Sequence, residues 1–146
     1  MKKKIITAAV AVLLAVSSGL IGFFAAKKVY DDRTVKRFAS VVKDCRADAD
    51  GVLSGKTGEY LDYLRADINS LVTLCMLDGG DRFDDELRDS LYVCFAVLQS
   101  RPEGCIANIR MIYNAADAYL NGGSVASFRA AVDSFNEAAG SYTVTE

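Results

Sequence analysis

The 146-residue chain contains no histidine at all, and its only proline is Pro102. Histidine is the commonest general base and the commonest metal ligand in proteins, so its absence excludes histidine-dependent triads and most zinc sites. No two of the four cysteines form a Cys-x-x-Cys motif, which also removes the usual zinc and thiol-redox patterns. We therefore expect no metal, no cofactor and no catalytic residue.

Phosphate loops and calcium loops are missing as well. Gly55 is followed by Lys56 and Thr57, but a P-loop also needs a glycine five positions before Gly55, and that position is Asp50. The acidic segment at 81–86, DRFDDE, lacks the glycine and the final glutamate of an EF-hand. The remaining acids fall off the apolar stripes, so we expect solvated positions for Asp48, Asp62, Asp67, Asp89, Asp117 and Asp133. The sequence predicts that the protein is not an enzyme.

What is present is an apolar stretch at residues 5–26, 22 residues without a charge between MKKK and the pair Lys27 and Lys28. A helix of this length would be about 33 Å long, enough to cross a hydrocarbon core of about 30 Å. We favour an uncleaved signal-anchor over residues 1–28. A cleaved signal peptide, cut near residues 16–18, is the alternative. A buried core helix is disfavoured because the stretch has no polar face.

The flanking charges predict the orientation less directly. Three lysines precede the stretch, whereas five basic residues follow it: Lys27, Lys28, Arg33, Lys36 and Arg37. A count of Lys and Arg alone favours the N terminus outside, but long C-terminal domains translocate largely regardless of charge. We expect a single-pass protein of the cell membrane with its soluble domain on the outer face, or a secreted protein if the signal is cleaved.

The charges are divided unequally along the chain. The first 28 residues carry five lysines and no acid, while the rest has 12 basic and 19 acidic side chains and hence a net charge of −7. Phosphate neutralisation supplies most of the affinity for nucleic acid, so an acidic domain without a basic stripe is not expected to bind it.

Residues 29–140 show apolar side chains at spacings of three and four, the pattern of amphipathic helices. Thr57 and Ser124 are the predicted N-caps of the second and fifth helices, and Pro102 fits the first position of the fourth. The segment at 91–98 is apolar throughout, so we place it at the centre of the domain. The predicted fold class is all-α: an N-terminal transmembrane signal-anchor helix, then a small antiparallel four- to five-helix bundle. Residues 141–146 form a disordered tail.

The cysteines allow one disulfide. In a hairpin that turns near residue 100, Cys94 and Cys105 fall at nearly the same height, so we predict a bridge between them. Cys45 and Cys75 are about a dozen residues out of register, and we predict none there. Each cysteine also occupies an inward position, where a free thiol packs as a small apolar group, and this alternative stays open.

These features favour a membrane-anchored helical bundle that binds another protein at the cell envelope. Tyr60, Tyr63 and Tyr92 are possible interface residues because aromatic side chains are enriched at interfaces. The main alternative is a bundle that binds a ligand in a pocket between its helices.

Overall fold

The structure, a computed structural model, describes the backbone of residues 2–79 and 82–142 and the side chains of residues 22–30, 32–79 and 82–142. Within these ranges it contains no strand and five helices, which confirms the all-α fold class. The helices are α1 (Lys2–Leu53), α2 (Thr57–Asp78), α3 (Asp85–Ser100), α4 (Pro102–Leu120) and α5 (Val125–Gly140). The chain divides into two compact units, residues 1–36 and 37–146.

The first unit is helical throughout its described backbone. Helix α1 continues without a break through Lys27 and Lys28, as the absence of glycine and proline between them and residue 50 predicts. Phe23 and Phe24 are 63% and 64% exposed. The side chains of residues 5–21, most of the predicted anchor, lie outside the described residues. In the part of the chain that is described, no helix meets the length and apolarity that a membrane crossing requires.

The second unit is a helical bundle, and the predicted apolar stripes form its core. The inward residues of α1 are at most 3% exposed: Phe38, Val42, Cys45, Ala49 and Val52. Those of α2 and α3 are also buried: Leu61, Leu64, Ile68, Leu71, Cys75, Leu87, Leu91, Cys94 and Leu98. Helices α4 and α5 complete the core with Cys105, Ile109, Ile112, Ala116, Phe128, Val132, Phe135 and Ala139. A spacing of three and four keeps such residues on one helical face, which packing then removes from water.

An aromatic cluster around Phe38 closes one end of the bundle. The Phe38 ring stacks on Phe83 with centroids 4.2 Å apart, and it meets Tyr119 at 5.6 Å and Phe128 at 6.1 Å. Phe83 lies in the loop before α3 and is only 2% exposed. The buried carboxylate of Asp78 fixes this loop, because its Oδ2 accepts hydrogen bonds from the backbone N–H groups of residues 82 and 83. Phe83 thus belongs to the core, while its neighbours Arg82 and Asp84 are exposed.

Hydrogen bonds from side chains to neighbouring helices show which helices are in contact. Three of them join α1 to α4, α2 to α3 and α3 to α5: Arg46 Nη1 to Asp117 Oδ1 at 2.7 Å, Arg65 Nη2 to the Leu98 carbonyl at 3.3 Å, and Asn136 Nδ2 to the Ser90 carbonyl at 2.9 Å. Helices α4 and α5 also pack against each other, as do α2 and α3. The short turns within these two hairpins make their helices antiparallel.

Helix ends follow the sequence signals with one exception. Ser124 caps α5 by accepting a hydrogen bond from the Ser127 N–H at 3.0 Å, and α4 begins at Pro102, as predicted. Thr57 is not an N-cap, since it is already the first residue of α2. The preceding turn explains the difference. Gly55 has a positive φ of +87°, which allows the backbone N–H groups of residues 55 and 56 to donate to the carbonyls of residues 52 and 51. This motif ends α1 and reverses the chain before Thr57.

Helix α3 is not buried all round, which corrects the central position predicted for residues 91–98. Leu91, Cys94 and Leu98 are buried, but Tyr92 and Val93 are 61% and 47% exposed. The reason is that α3 meets α2, α4 and α5 through the face that carries Leu91, Cys94 and Leu98, and Tyr92 and Val93 lie on the remaining face.

Gly104 lies where α4 packs closely against the backbone of α5. A Cβ placed on Gly104 would overlap the backbone carbonyl oxygen of Ala139, whereas one on Gly58 would meet nothing within 4 Å. We expect Gly104→Ala to lower the free energy of unfolding by about 1–3 kcal/mol, because a backbone contact cannot move aside cheaply. Gly58→Ala should instead raise it by up to about 1 kcal/mol through helix propensity.

Chemical denaturation of the two full-length variants in the same non-ionic detergent, followed by circular dichroism, measures both effects. Equal midpoints for Gly104→Ala and the unmodified chain would contradict the close approach of α4 and α5.

Candidate functional site

The three predicted interface tyrosines lie in two places. Tyr60 and Tyr63 are together on α2, with ring centroids 6.0 Å apart, and the Tyr63 hydroxyl donates to Glu59 Oε1 at 2.5 Å. This hydrogen bond to the Glu59 carboxylate raises the pKa of Tyr63. Tyr63 is 49% exposed, while Tyr60 is partly buried against Gly51. Tyr92 is on the outer face of α3, and no described ring contact joins it to the other two. Their role at an interface stays a prediction.

All four cysteines are buried free thiols in the structure. Cys105 lies close enough to Cys94 to raise the pKa of Cys94, although burial contributes more, and the Cys105 thiol donates to the Val97 carbonyl at 3.5 Å. The predicted bridge between them is not formed here and stays a prediction, as does the alternative of two packed thiols.

Burial suppresses the reactivity of these thiols. Desolvation raises the pKa of Cys75 to about 12 and that of Cys105 to about 11, and it raises the pKa of Cys94 and Cys45 further above the usual range. The thiolate is the nucleophilic form, so all four side chains are protonated and inert at neutral pH.

A carboxyl pair lies between α1 and α2. Asp48 of α1 and Asp67 of α2 are half-buried and hydrogen-bonded to each other, which corrects the solvated positions expected for them. Asp44, one turn before Asp48, adds a third negative charge, and Cys45 lies buried beside the group. No described lysine or arginine forms an ion pair with either partner, so the pair has to hold a proton to avoid like-charge repulsion.

The proton resides on Asp67. Burial, followed by the charge of Asp48 and the hydrogen bond to it, raises the pKa of Asp67 to about 7. Burial also raises the pKa of Asp48, but the hydrogen bond with Asp67 acts in the opposite direction and stabilises its carboxylate. Between the pKa of Asp48 and about pH 7, the Asp67 hydroxyl therefore donates to the Asp48 carboxylate.

The sequence holds only a faint signal for this pair. Asp48 immediately precedes Ala49, and Asp67 immediately precedes Ile68, so each carboxyl lies at the edge of an apolar stripe. That position predicts partial burial. Which acid of α2 faces Asp48 depends on how the two helices are aligned, and this alignment is set by packing.

A groove between α4 and α5 has the size and the lining of a binding site. Its volume is about 350 Å³, within the range of small ligand pockets. Small side chains form much of its wall, including Ala115 and Ala118 of α4 and Ala131 of α5. Tyr119 and Phe128 lie at one end, where they also belong to the aromatic cluster.

The chemistry of this groove differs from that of the rest of the bundle surface. None of its described lining side chains is charged, although residues 29–146 carry a net charge of −7. The polar side chains in its lining are Asn114 and Tyr119 on α4, the α5 N-cap Ser124, and Ser127 and Ser134 on α5. A charged group placed there would lose water without gaining a counter-charge, so the groove selects an uncharged, mainly apolar occupant.

Replacing Asp67 by asparagine should remove a pH dependence of stability. The folded protein keeps a proton on Asp67 up to about pH 7, whereas the unfolded chain releases it near the ordinary value of about 4. The free energy of unfolding therefore falls as pH rises from about 4 to about 7. Asp67→Asn, which keeps an N–H donor for Asp48, should stabilise the protein at pH 8 by on the order of 1 kcal/mol after allowance for solvent screening.

Thermal unfolding of the full chain between pH 4 and pH 8 measures this, with Asp50→Asn as the control because Asp50 is exposed on the same helix as Asp48. The same dependence on pH in Asp67→Asn and in the unmodified chain would rule out the shared proton.

Among the described residues, no three His, Cys, Asp or Glu side chains converge so that they could hold a metal ion. Comparison of the chain with known protein families, with curated proteins and with solved structures found no match.

Proposed function

We propose that this protein is a membrane-anchored binding module of the cell envelope, whose helical bundle lies on the outer face and presents the groove between α4 and α5 to another protein. The anchor is the uncharged stretch at residues 5–26. The observation that carries the binding role is the uncharged, mainly apolar groove on an otherwise acidic domain.

The groove suits side chains of a partner protein. Its wall has alanines and serines where a core would have leucines, so an apolar side chain or the face of a helix can approach the backbones of α4 and α5 closely. The surrounding helices are well packed, with core residues that are almost entirely removed from water. A rigid scaffold of this kind limits the entropy lost on binding.

A second candidate function, the binding of a small ligand, is favoured by the volume of about 350 Å³. A neutral apolar molecule with one or two hydrogen-bonding groups would match the same walls. Crosslinking at the groove distinguishes the two functions, because the first gives a protein adduct and the second gives an adduct of small-molecule mass.

Ala118→Arg should abolish binding at the groove, because it introduces an unpaired charge into an uncharged wall. The matched control is Ala107→Arg, since Ala107 is exposed on the same helix but does not line the groove. A photoreactive benzoylphenylalanine in place of Ser127 reports occupancy in intact membranes. We expect a discrete protein adduct whose yield falls at least fivefold with Ala118→Arg and stays unchanged with Ala107→Arg.

Equal yields in both arginine variants would contradict a role for the groove. An adduct of small-molecule mass only, lost with Ala118→Arg, would establish the ligand-binding function in place of the protein-binding one.

The membrane anchor is tested separately. We expect the unprocessed chain to stay with membranes after carbonate extraction and to be digested by protease added to intact cells. Release by carbonate would contradict the anchor, and a mature chain shortened by about 17 residues would establish cleavage near residues 16–18.

A further inference from the structure

A second groove, with the opposite chemistry, lies on the other flank of α5. It is formed by α3 and α5, and its volume is about 510 Å³. Four carboxylates line it, Glu86 and Asp89 on α3 and Asp133 and Glu137 on α5. The half-exposed Val93 lies among them as an apolar contact.

Two of these carboxylates already form an ion pair with an arginine side chain. Arg129 pairs with Glu86, and Arg88 pairs with Asp89 at 2.8 Å. No lysine or arginine in the described ranges pairs with Asp133 or Glu137. These two acids are four residues apart on one face of α5, where like charges destabilise a helix by a few tenths of a kcal/mol. A cation between them would reverse that effect.

Asn136 supplies a separate observation that points to a missing donor. Its side chain lines the groove beside Asp133 and Glu137 and is only 9% exposed. The Asn136 amide donates through Nδ2 to the Ser90 carbonyl at 2.9 Å, but its Oδ1 is buried without a hydrogen-bond donor. A buried acceptor left without a donor costs about 1–3 kcal/mol, and proteins rarely retain one.

We propose that this second groove, which we call the acidic groove, binds a basic segment of a partner protein that places an arginine between Asp133 and Glu137. The two carboxylates are acceptors only, and a guanidinium offers five N–H donors in a planar fork. One of these donors reaches the covered Asn136 Oδ1 only after the side chains over that oxygen move aside. An apolar neighbour of that arginine packs on Val93, next to the exposed ring of Tyr92. The inference shares with the proposed function the view that the bundle binds proteins, but it concerns a different surface.

Charge complementarity and geometry favour this occupant over a metal ion. The carboxylates are spread along two helices, and no three acidic side chains in the described part of the chain converge on one point. A divalent cation needs such convergence, since calcium takes six to eight oxygens at about 2.3–2.6 Å. A guanidinium on a flexible stem bridges wider separations and uses planar carboxylate contacts.

The probe is the amidated peptide acetyl-Leu-Arg-Leu-Leu-Arg-Leu, titrated into the ¹⁵N-labelled full chain in non-ionic micelles at low salt. We expect saturable shifts of the Asn136 side-chain amide and of the Val93 N–H. The dissociation constant should rise at least tenfold for Asp133→Asn/Glu137→Gln and for the same peptide with citrulline in place of arginine. Binding should weaken as salt is added.

The matched control is Asp50→Asn/Glu103→Gln, which removes the same number and kinds of charge at exposed positions outside the acidic groove. An equal loss of affinity in both double variants would overturn the proposal, because it would indicate attraction to the acidic domain as a whole. Shifts of the same signals by calcium, with none by the peptide, would also overturn it. Crosslinking at Ser127 independently reports binding at the groove between α4 and α5, which we call the neutral groove. Failure at one groove is therefore distinguishable from failure at the other.

Discussion

The bundle depends on the burial of Phe38. Its ring is completely removed from water and contacts Phe83, Tyr119 and Phe128, so one side chain of α1 joins the loop before α3, the end of α4 and the start of α5. Aromatic pairs of this geometry contribute about 0.5–1.5 kcal/mol each beyond the burial of their area. The cluster brings together residues far apart in sequence. Two of them, Tyr119 and Phe128, also line the neutral groove, so the cluster holds one end of that groove in place.

Helix α5 separates two surfaces of unlike chemistry. On its α4 side, alanines and serines leave an uncharged groove, and on its α3 side, carboxylates surround a valine and a buried amide. Both follow from one packing arrangement, because the face of α5 that carries Val132, Phe135 and Ala139 is fully buried in the core. The two remaining flanks are then available for binding. The shared proton between α1 and α2 is a third polar feature, and it links stability to pH away from both grooves.

The helices and their inward faces could be predicted because apolar spacing and helix-end signals are local. The stripe from Phe38 to Val52, the cap at Ser124 and the start of α4 at Pro102 are all in the structure. The errors concern positions decided by neighbours. Thr57 is a residue type suited to a cap, but the left-handed conformation of Gly55 reverses the chain early enough for Thr57 to be the first helical residue. Tyr92 belongs to an apolar run of which other helices cover only one face.

By itself, the sequence determined the all-helical class, the core residues, the positions of the turns, and the uncharged stretch followed by an acidic domain, because these depend on composition and on periodicity along one chain. Only the tertiary structure decided that Asp48 meets Asp67, that Phe83 enters the core, and that Asn136 lies buried beside two acids. Such pairings depend on the rotation and axial alignment of each helix against its neighbours. Many alignments bury the same apolar stripe, and close packing of particular side chains selects one of them.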